Sequence, residues 1–186
     1  MKSLQFSIPT NVAGALSAIR SGTTLDAFEA AKWLYRDGRR ARSLRLAGKL
    51  MEIANDKRCA VWNRVAAVHA VGSLEPRTWI APGLIALLAD EEEDFKIRGH
   101  AAEALGYYRE KSAIPLLRKI LLSRQRPYLK VDCIFALSKM WEFSDDLKTF
   151  NPNARKALNK FARTQPSGKA GRELKRYMRG IRLGWI

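Results

Sequence analysis

Three stretches of this chain repeat one another in register. Arg64-Val65-Ala66-Ala67-Val68-His69-Ala70-Val71-Gly72, Arg98-Gly99-His100-Ala101-Ala102-Glu103-Ala104-Leu105-Gly106 and Lys130-Val131-Asp132-Cys133-Ile134-Phe135-Ala136-Leu137-Ser138 align at offsets of 34 and 32 residues. A second marker keeps step with them: Ile80-Ala81-Pro82 and Ala113-Ile114-Pro115 stand 33 apart by proline. A helix pair cannot bury its apolar face alone, so pairs recurring at this spacing must stack on one another as an α-solenoid. The small residues at 67, 70, 101 and 104 let neighbouring helices come close.

Apolar periodicity between and around the repeats is helical almost throughout. Leu25, Phe28, Ala31 and Leu34 follow a three-residue step. Leu44, Ala47, Leu50, Met51 and Ala54, and Ile97, Ala101, Ala104, Leu105 and Tyr108, form further one-sided stripes. No segment alternates strictly with β-branched enrichment, so no strands are expected. The spacing predicts helices near 11–20, 24–36, 39–54, 58–73, 79–89, 94–108, 113–123, 127–141, 152–163 and 168–182, joined mostly by short turns that make neighbours antiparallel. Asp37-Gly38 reads as a turn, and Arg126-Pro127 as a helix start. Thr78, Ser112 and Asn151 read as caps, each with a proline in the turn that follows. The expected fold is all-α, a short solenoid of helix pairs.

The pattern helix, Pro, helix, then [basic]-x-x-Ala-x-x-Ala-Leu-Gly resembles the HEAT-repeat family, in particular its short bacterial form also found in bilin lyases. The resemblance implies one domain over 1–186, with the best repeats at 58–142 and degenerate capping repeats at 24–57 and 150–184. It implies that the second helix of each pair lines the concave surface. It also implies that the basic ladder Arg64, Arg98, Lys130 bridges to acidic or carbonyl partners in the next repeat. It assigns no function by itself.

Composition narrows the class. At 186 residues the chain is one domain or one short array, and 47% hydrophobic residues suffice for a core. Cys59 and Cys133 form no CxxC pair, which excludes a disulfide framework and suits a reducing cytoplasm. No run of 18 apolar residues exists, and MKSLQFSIPT does not make a secretory leader, so no membrane span is expected. The net charge of +16 is uneven: +1 over 1–35, +6 over 36–74, −4 over 75–110, +4 over 111–148 and +9 over 149–186. Two basic blocks flanking an acidic insert draw polyanions. Arg36, Arg39, Arg40, Arg42 and Arg45 crowd the first block. Arg155, Lys156, Lys160, Arg163, Arg172, Lys175, Arg176, Arg179 and Arg182 spread over the last, with Leu174, Tyr177, Met178 and Ile181 opposite. Arginine suits bidentate phosphate contact, so these fourteen side chains are the candidate nucleic-acid surface. The run Asp90–Asp94 reads as a solvated turn whose acids favour the following helix start.

On the second helices a 4,3,4 step away from the apolar stripe selects Trp62, Ala66, His69 and Ser73, then Lys96, His100, Glu103 and Tyr107, then Tyr128, Asp132, Phe135 and Lys139. An exposed patch of such aromatics suggests a binding groove. There is no P-loop, HExxH, GxSxG or dinucleotide fingerprint. His69 and His100 lack a third obvious metal ligand, and no cofactor is expected. The composition of this face is similar to that of HEAT-like DNA alkylation-repair glycosylases, in which Asp132 between Tyr128 and Phe135 would be the carboxylate. Those enzymes are longer, and no Trp–Asp motif aligns here. Nucleic acid is the expected partner of a non-enzymatic module. An acidic protein bound by an adaptor or immunity-like scaffold is the alternative.

Overall fold

The computed structural model describes residues 9–37, 44–74 and 79–141. Among these, eight α-helices and one turn of 3₁₀ helix at Lys111–Ala113 account for the regular structure, with no strand. The helices are α1 (Val12–Ser21), α2 (Thr24–Asp37), α3 (Leu44–Asn55), α4 (Val61–Gly72), α5 (Ile80–Ala89), α6 (Phe95–Tyr107), α7 (Ile114–Leu122) and α8 (Pro127–Trp141). The helices expected at 152–163 and 168–182, the Asp37-Gly38 turn, Thr78, Asn151 and the capping repeat at 150–184 lie outside the described residues.

Local chemistry sets the boundaries. Asn11 caps α1 by accepting the Gly14 N–H at 2.8 Å. Thr23 and Asp26 cap α2 reciprocally: the Asp26 carboxylate accepts the Thr23 N–H at 3.0 Å, and the Thr23 hydroxyl accepts the Asp26 N–H at 3.2 Å. The helix expected from residue 58 begins only at Val61. Asp56 folds the chain into a turn first, its side chain taking the Arg58 N–H and its carbonyl the Cys59 N–H. Ser112 does not cap α7 either. Its N–H and hydroxyl both donate to Glu110, and the residue ahead of α7 is Ala113. Pro115 and Pro127 stand in the first turns of α7 and α8, where a missing N–H costs nothing.

The elements pair as α1/α2, α3/α4, α5/α6 and α7/α8, and the pairs stack. The second helices form one continuous layer, with α2 against α4, α4 against α6 and α6 against α8. The first helices touch one another far less, and α5 and α7 make no comparable contact. The core lies between the layers. Val65, Val68 and Val71 of α4, Ile97, Ala101 and Leu105 of α6, and Leu129 and Cys133 of α8 are all fully buried, facing Leu50, Leu84, Leu88 and Leu117 of the first helices. Burial pushes the Cys133 thiol far above its ordinary pKa, so it behaves as a small apolar side chain.

Two glycines let the second-helix layer close up. A Cβ at Gly72 would stand 2.9 Å from the Ala104 Cβ, and one at Gly106 would stand 2.6 Å from the Ala136 Cα. Gly72 and Gly106 are 34 residues apart and their partners 32 apart, so the sequence repeat is also a repeat of close approach.

Two rungs of the basic ladder, Arg64 and Arg98, are brackets. Arg64 Nε donates to the Ala54 carbonyl at 2.8 Å, and its two terminal nitrogens grip both carboxylate oxygens of Glu93. Arg98 repeats the first half, Nε to the Leu88 carbonyl at 3.1 Å, and reaches Gln125 Oε1 at 3.4 Å. Each arginine ties the end of its own first helix to the loop that opens the next second helix. Glu93 is therefore not part of a solvated acidic turn. It is 8% exposed, paired with Arg64, and also accepts the Asp94 N–H. Asp94 keeps the helix-start role, taking the Lys96 N–H at 2.8 Å.

A candidate binding face on the second helices

The outer surface of the second-helix layer carries aromatic rings and cations in alternation. Phe28 of α2 packs on Trp62 of α4 at 6.2 Å between ring centroids. The Lys96 ammonium of α6 lies 5.2 Å from the Trp62 ring and 4.9 Å from Phe95. The Arg126 guanidinium, just ahead of α8, lies 4.8 Å from the Phe95 ring. Cation over ring at these distances is a favourable contact. Lys96 also stands 3.9 Å from Asp94, so its charge is partly balanced. Further along, Tyr107 of α6 meets Phe135 of α8 edge-on at 5.5 Å, and the Lys139 ammonium is 5.6 Å from Phe135. Tyr128 is exposed at the start of α8.

Titratable groups occupy the middle of the layer. His69 and His100 meet edge-to-face at 6.2 Å. His100 Nδ1 is 3.0 Å from Glu103 Oε2, near enough for an ion pair but not aligned as a hydrogen bond. Asp132 occupies the space that the missing side chain of Gly99 leaves: a Cβ there would stand 2.0 Å from Oδ2. Burial, and secondarily the Glu103 charge, push the Asp132 carboxyl up to about 7, with His100 opposing. Burial also lowers the pKa of His69, helped by His100 and Lys32 against Glu103. Among the described residues no cluster of three His, Cys, Asp or Glu side chains is arranged to hold a metal ion. A carboxylate that stabilises a developing cation must be ionised, and the surroundings of Asp132 work against that.

Of the twelve residues on the 4,3,4 step, the ten candidate side chains other than Ala66 and Ser73 fall on this layer. Trp62, His69, Tyr107 and Tyr128 are exposed, and Lys96, His100, Glu103, Asp132, Phe135 and Lys139 are half-buried. Ala66, on the same step, is fully buried. Pattern reading missed a fourth row. Phe28, Lys32 and Tyr35 of α2 stand 34 residues before Trp62, Ala66 and His69 and continue the face by one helix. Their 4,3 step was the available signal, hidden because in the register of the repeated phrase α2 carries Ala30, Trp33 and Arg36 where α4 carries Arg64, Ala67 and Ala70. Phe95 and Arg126 were missed because they precede the repeated phrase. Lys32, Tyr35, His69, Gly72, Ser73 and Tyr107 line a cleft of about 370 Å³ across the C-terminal end of α4.

Of the candidate phosphate-binding side chains, Arg36 in the last turn of α2 and Arg45 in the first turn of α3 are described, and both are exposed. Arg39, Arg40, Arg42, Arg155, Lys156, Lys160, Arg163, Arg172, Lys175, Arg176, Arg179 and Arg182 lie outside the described residues. The described residues hold 18 Lys and Arg against 13 Asp and Glu, so +11 of the +16 lies elsewhere in the chain.

Stacked helix pairs, brackets recurring from pair to pair and the glycine contacts agree with what family comparison finds: residues 47–138 match the HEAT repeats. The chain belongs to the HEAT-repeat family. No curated protein matches it. HEAT repeats generally mediate interactions and are generally non-catalytic, which makes this HEAT-repeat chain a binding or scaffold module in outline. No helix among the described residues is long and apolar enough to cross a membrane.

Proposed function

We propose that this HEAT-repeat protein is a non-enzymatic module that engages nucleic acid, within a nucleoprotein assembly. The observation that carries the reading is the alternation of rings and cations along the second-helix layer, Phe28, Trp62, Lys96, Phe95 and Arg126. Rings accept bases, and cations beside them accept phosphates. The arginine-rich stretch at 36–45 and the +9 segment at 149–186 supply further positive charge. Both described cysteines are free thiols, which fits a cytoplasmic setting.

The test is a salt titration. A labelled oligonucleotide should bind at about 100 mM salt and weaken steeply as salt rises, because each neutralised phosphate releases counterions. Reversing charge at Arg172, Arg176 and Arg179 to Glu should weaken binding and flatten the salt slope by about 0.7–0.9 per lost contact. Absence of binding, or binding that the reversal leaves unchanged, rejects the reading. The cleft with Tyr35 and Tyr107 on its walls favours a second reading, an adaptor that anchors an acidic protein. Partners that persist in a pull-down after nuclease treatment would select it.

A further inference from the structure

We infer that the nucleic acid taken up on this face is single-stranded, its bases laid on the exposed rings of the second helices and one base seated in the cleft at the end of α4. The inference rests on the nucleic-acid reading above and goes further by choosing the form of the ligand.

Exposure is the first reason. Tyr35 is 65% exposed, Trp62 42%, Tyr107 54% and Tyr128 55%, one ring on each of the four second helices. Leu25 and Trp79 are exposed as well among the described residues, but only these four rings fall in one row across the second helices, whose apolar stripes are buried. The rings can be covered by flat apolar partners, which a single strand offers and a duplex does not, since duplex bases are already stacked on both sides.

Charge is the second reason. The middle of the layer holds Glu103, and the described residues carry 18 Lys and Arg against 13 Asp and Glu, the smaller part of the chain's positive charge. A duplex packs one negative charge into about every 1.7 Å of its axis, twice the density of one strand. The Glu103 carboxylate in the centre of the face opposes that density. A single strand can pass its bases over the centre and keep its phosphates toward Lys32, Lys96, Arg126 and Lys139.

The cleft is the third reason. Gly72, the last residue of α4, and Ser73, its C-cap, line it, and Tyr35 of α2 and Tyr107 of α6 stand on the helices to either side. At about 370 Å³ it falls in the lower range of small-ligand pockets, enough for one base with its sugar. Its polar groups are mixed. Lys32 is paired with Glu29 on its own helix, and the Ser73 hydroxyl donates to the His69 carbonyl. Although the His69 residue is exposed, desolvation of its ring by packed neighbours, with the His100 and Lys32 charges, holds it toward its neutral form, so it can hydrogen-bond a base without adding charge.

The experiment compares, by fluorescence anisotropy on the full chain, a labelled oligo-dT strand of about 15 nucleotides with a duplex of the same length at about 100 mM salt. The strand should bind at least about fivefold tighter. Tyr35→Ala and Tyr107→Ala should each weaken the strand by about fivefold or more and leave duplex binding unchanged, while Tyr107→Phe should bind as the parent does. Both tyrosines are exposed, and an unchanged circular-dichroism melt shows that the variants fold. Equal affinity for strand and duplex, or tyrosine variants that bind the strand normally, overturns the inference while the nucleic-acid reading stands. A poly-glutamate peptide bound as tightly as the strand overturns it in favour of an acidic protein. Failure of both nucleic acids to bind removes the nucleic-acid reading itself, and this inference with it.

Discussion

The seam between α4 and α6 and the seam between α6 and α8 fall at equivalent places in the sequence repeat but are closed by different chemistry. At the first, Arg64 grips both oxygens of a buried Glu93, and Gly72 lies against the Ala104 side chain. At the second, Arg98 reaches only the neutral Gln125 at 3.4 Å, Gly106 lies against the Ala136 backbone, and Asp132 is pressed over Gly99. A repeat conserves the geometry of a joint while leaving each joint free to be closed by charge or by proximity. The first seam also sets His69 against His100, and burial lowers the His69 pKa from its ordinary value near neutrality. The second contains a carboxyl that titrates there.

The largest expected effect breaks the first seam. Glu93→Ala leaves the Arg64 guanidinium buried without its counter-charge, and stranding one member of a buried pair costs about 3–5 kcal/mol. Chemical denaturation should show that loss with little change in slope. Its absence would mean that water or another carboxylate replaces Glu93, and the contrast between the seams would fail.

The next effect separates the seams by pH. Asp132 has its carboxyl raised from 3.8 to about 7. The folded protein thus keeps a proton that the unfolded chain gives up near pH 4. The stability this proton confers is complete below about pH 4 and is lost as pH rises through 7. The full shift corresponds to about 4 kcal/mol, and the partial exposure of Asp132 reduces that to the order of 2. His69 acts in the opposite sense. Its pKa is lowered, so its share is complete above about 6.5 and falls away as pH drops. Stability should peak on the acid side of neutrality. Asp132→Asn should flatten the alkaline limb between pH 5 and about 8 and leave the acid limb in place. A denaturant series across that range reads both limbs at once.

How much of this was legible in the sequence follows from what each signal measures. The 34- and 32-residue offsets and the apolar stripes gave the helices and their pairing, because burial acts on every turn and leaves its period in the residues. The face was legible for the same reason, since the side opposite a stripe is defined once the stripe is known. What could not be read is pairing across repeats. Glu93 looks like its neighbours in the acidic run Asp90–Asp94, and only its position two residues before α6, within reach of Arg64, buries it. Gly99 reads as an ordinary small residue until Asp132 of the next repeat fills the space beside it. The α2 row stayed hidden because Trp33 and Arg36 stand where the repeated phrase would put its two alanines.

The smallest effect tests whether the seams differ in chemistry alone. Gln125 occupies the same place before α8 that Glu93 occupies before α6, each two residues ahead of the helix. Gln125→Glu would give Arg98 the carboxylate that Arg64 already has. The site is only partly buried, so desolvation of the new charge is small, and a hydrogen bond to a charged acceptor exceeds a neutral one by about 1 kcal/mol. The midpoint of thermal unfolding should rise by about 2–4 °C. A rise makes the second bracket equivalent to the first and leaves Gly106 and Asp132 as its distinguishing features. A fall would mean that the 3.4 Å separation reflects a loop that cannot approach Arg98. The difference between the seams would then lie in the backbone and not in the choice of side chain.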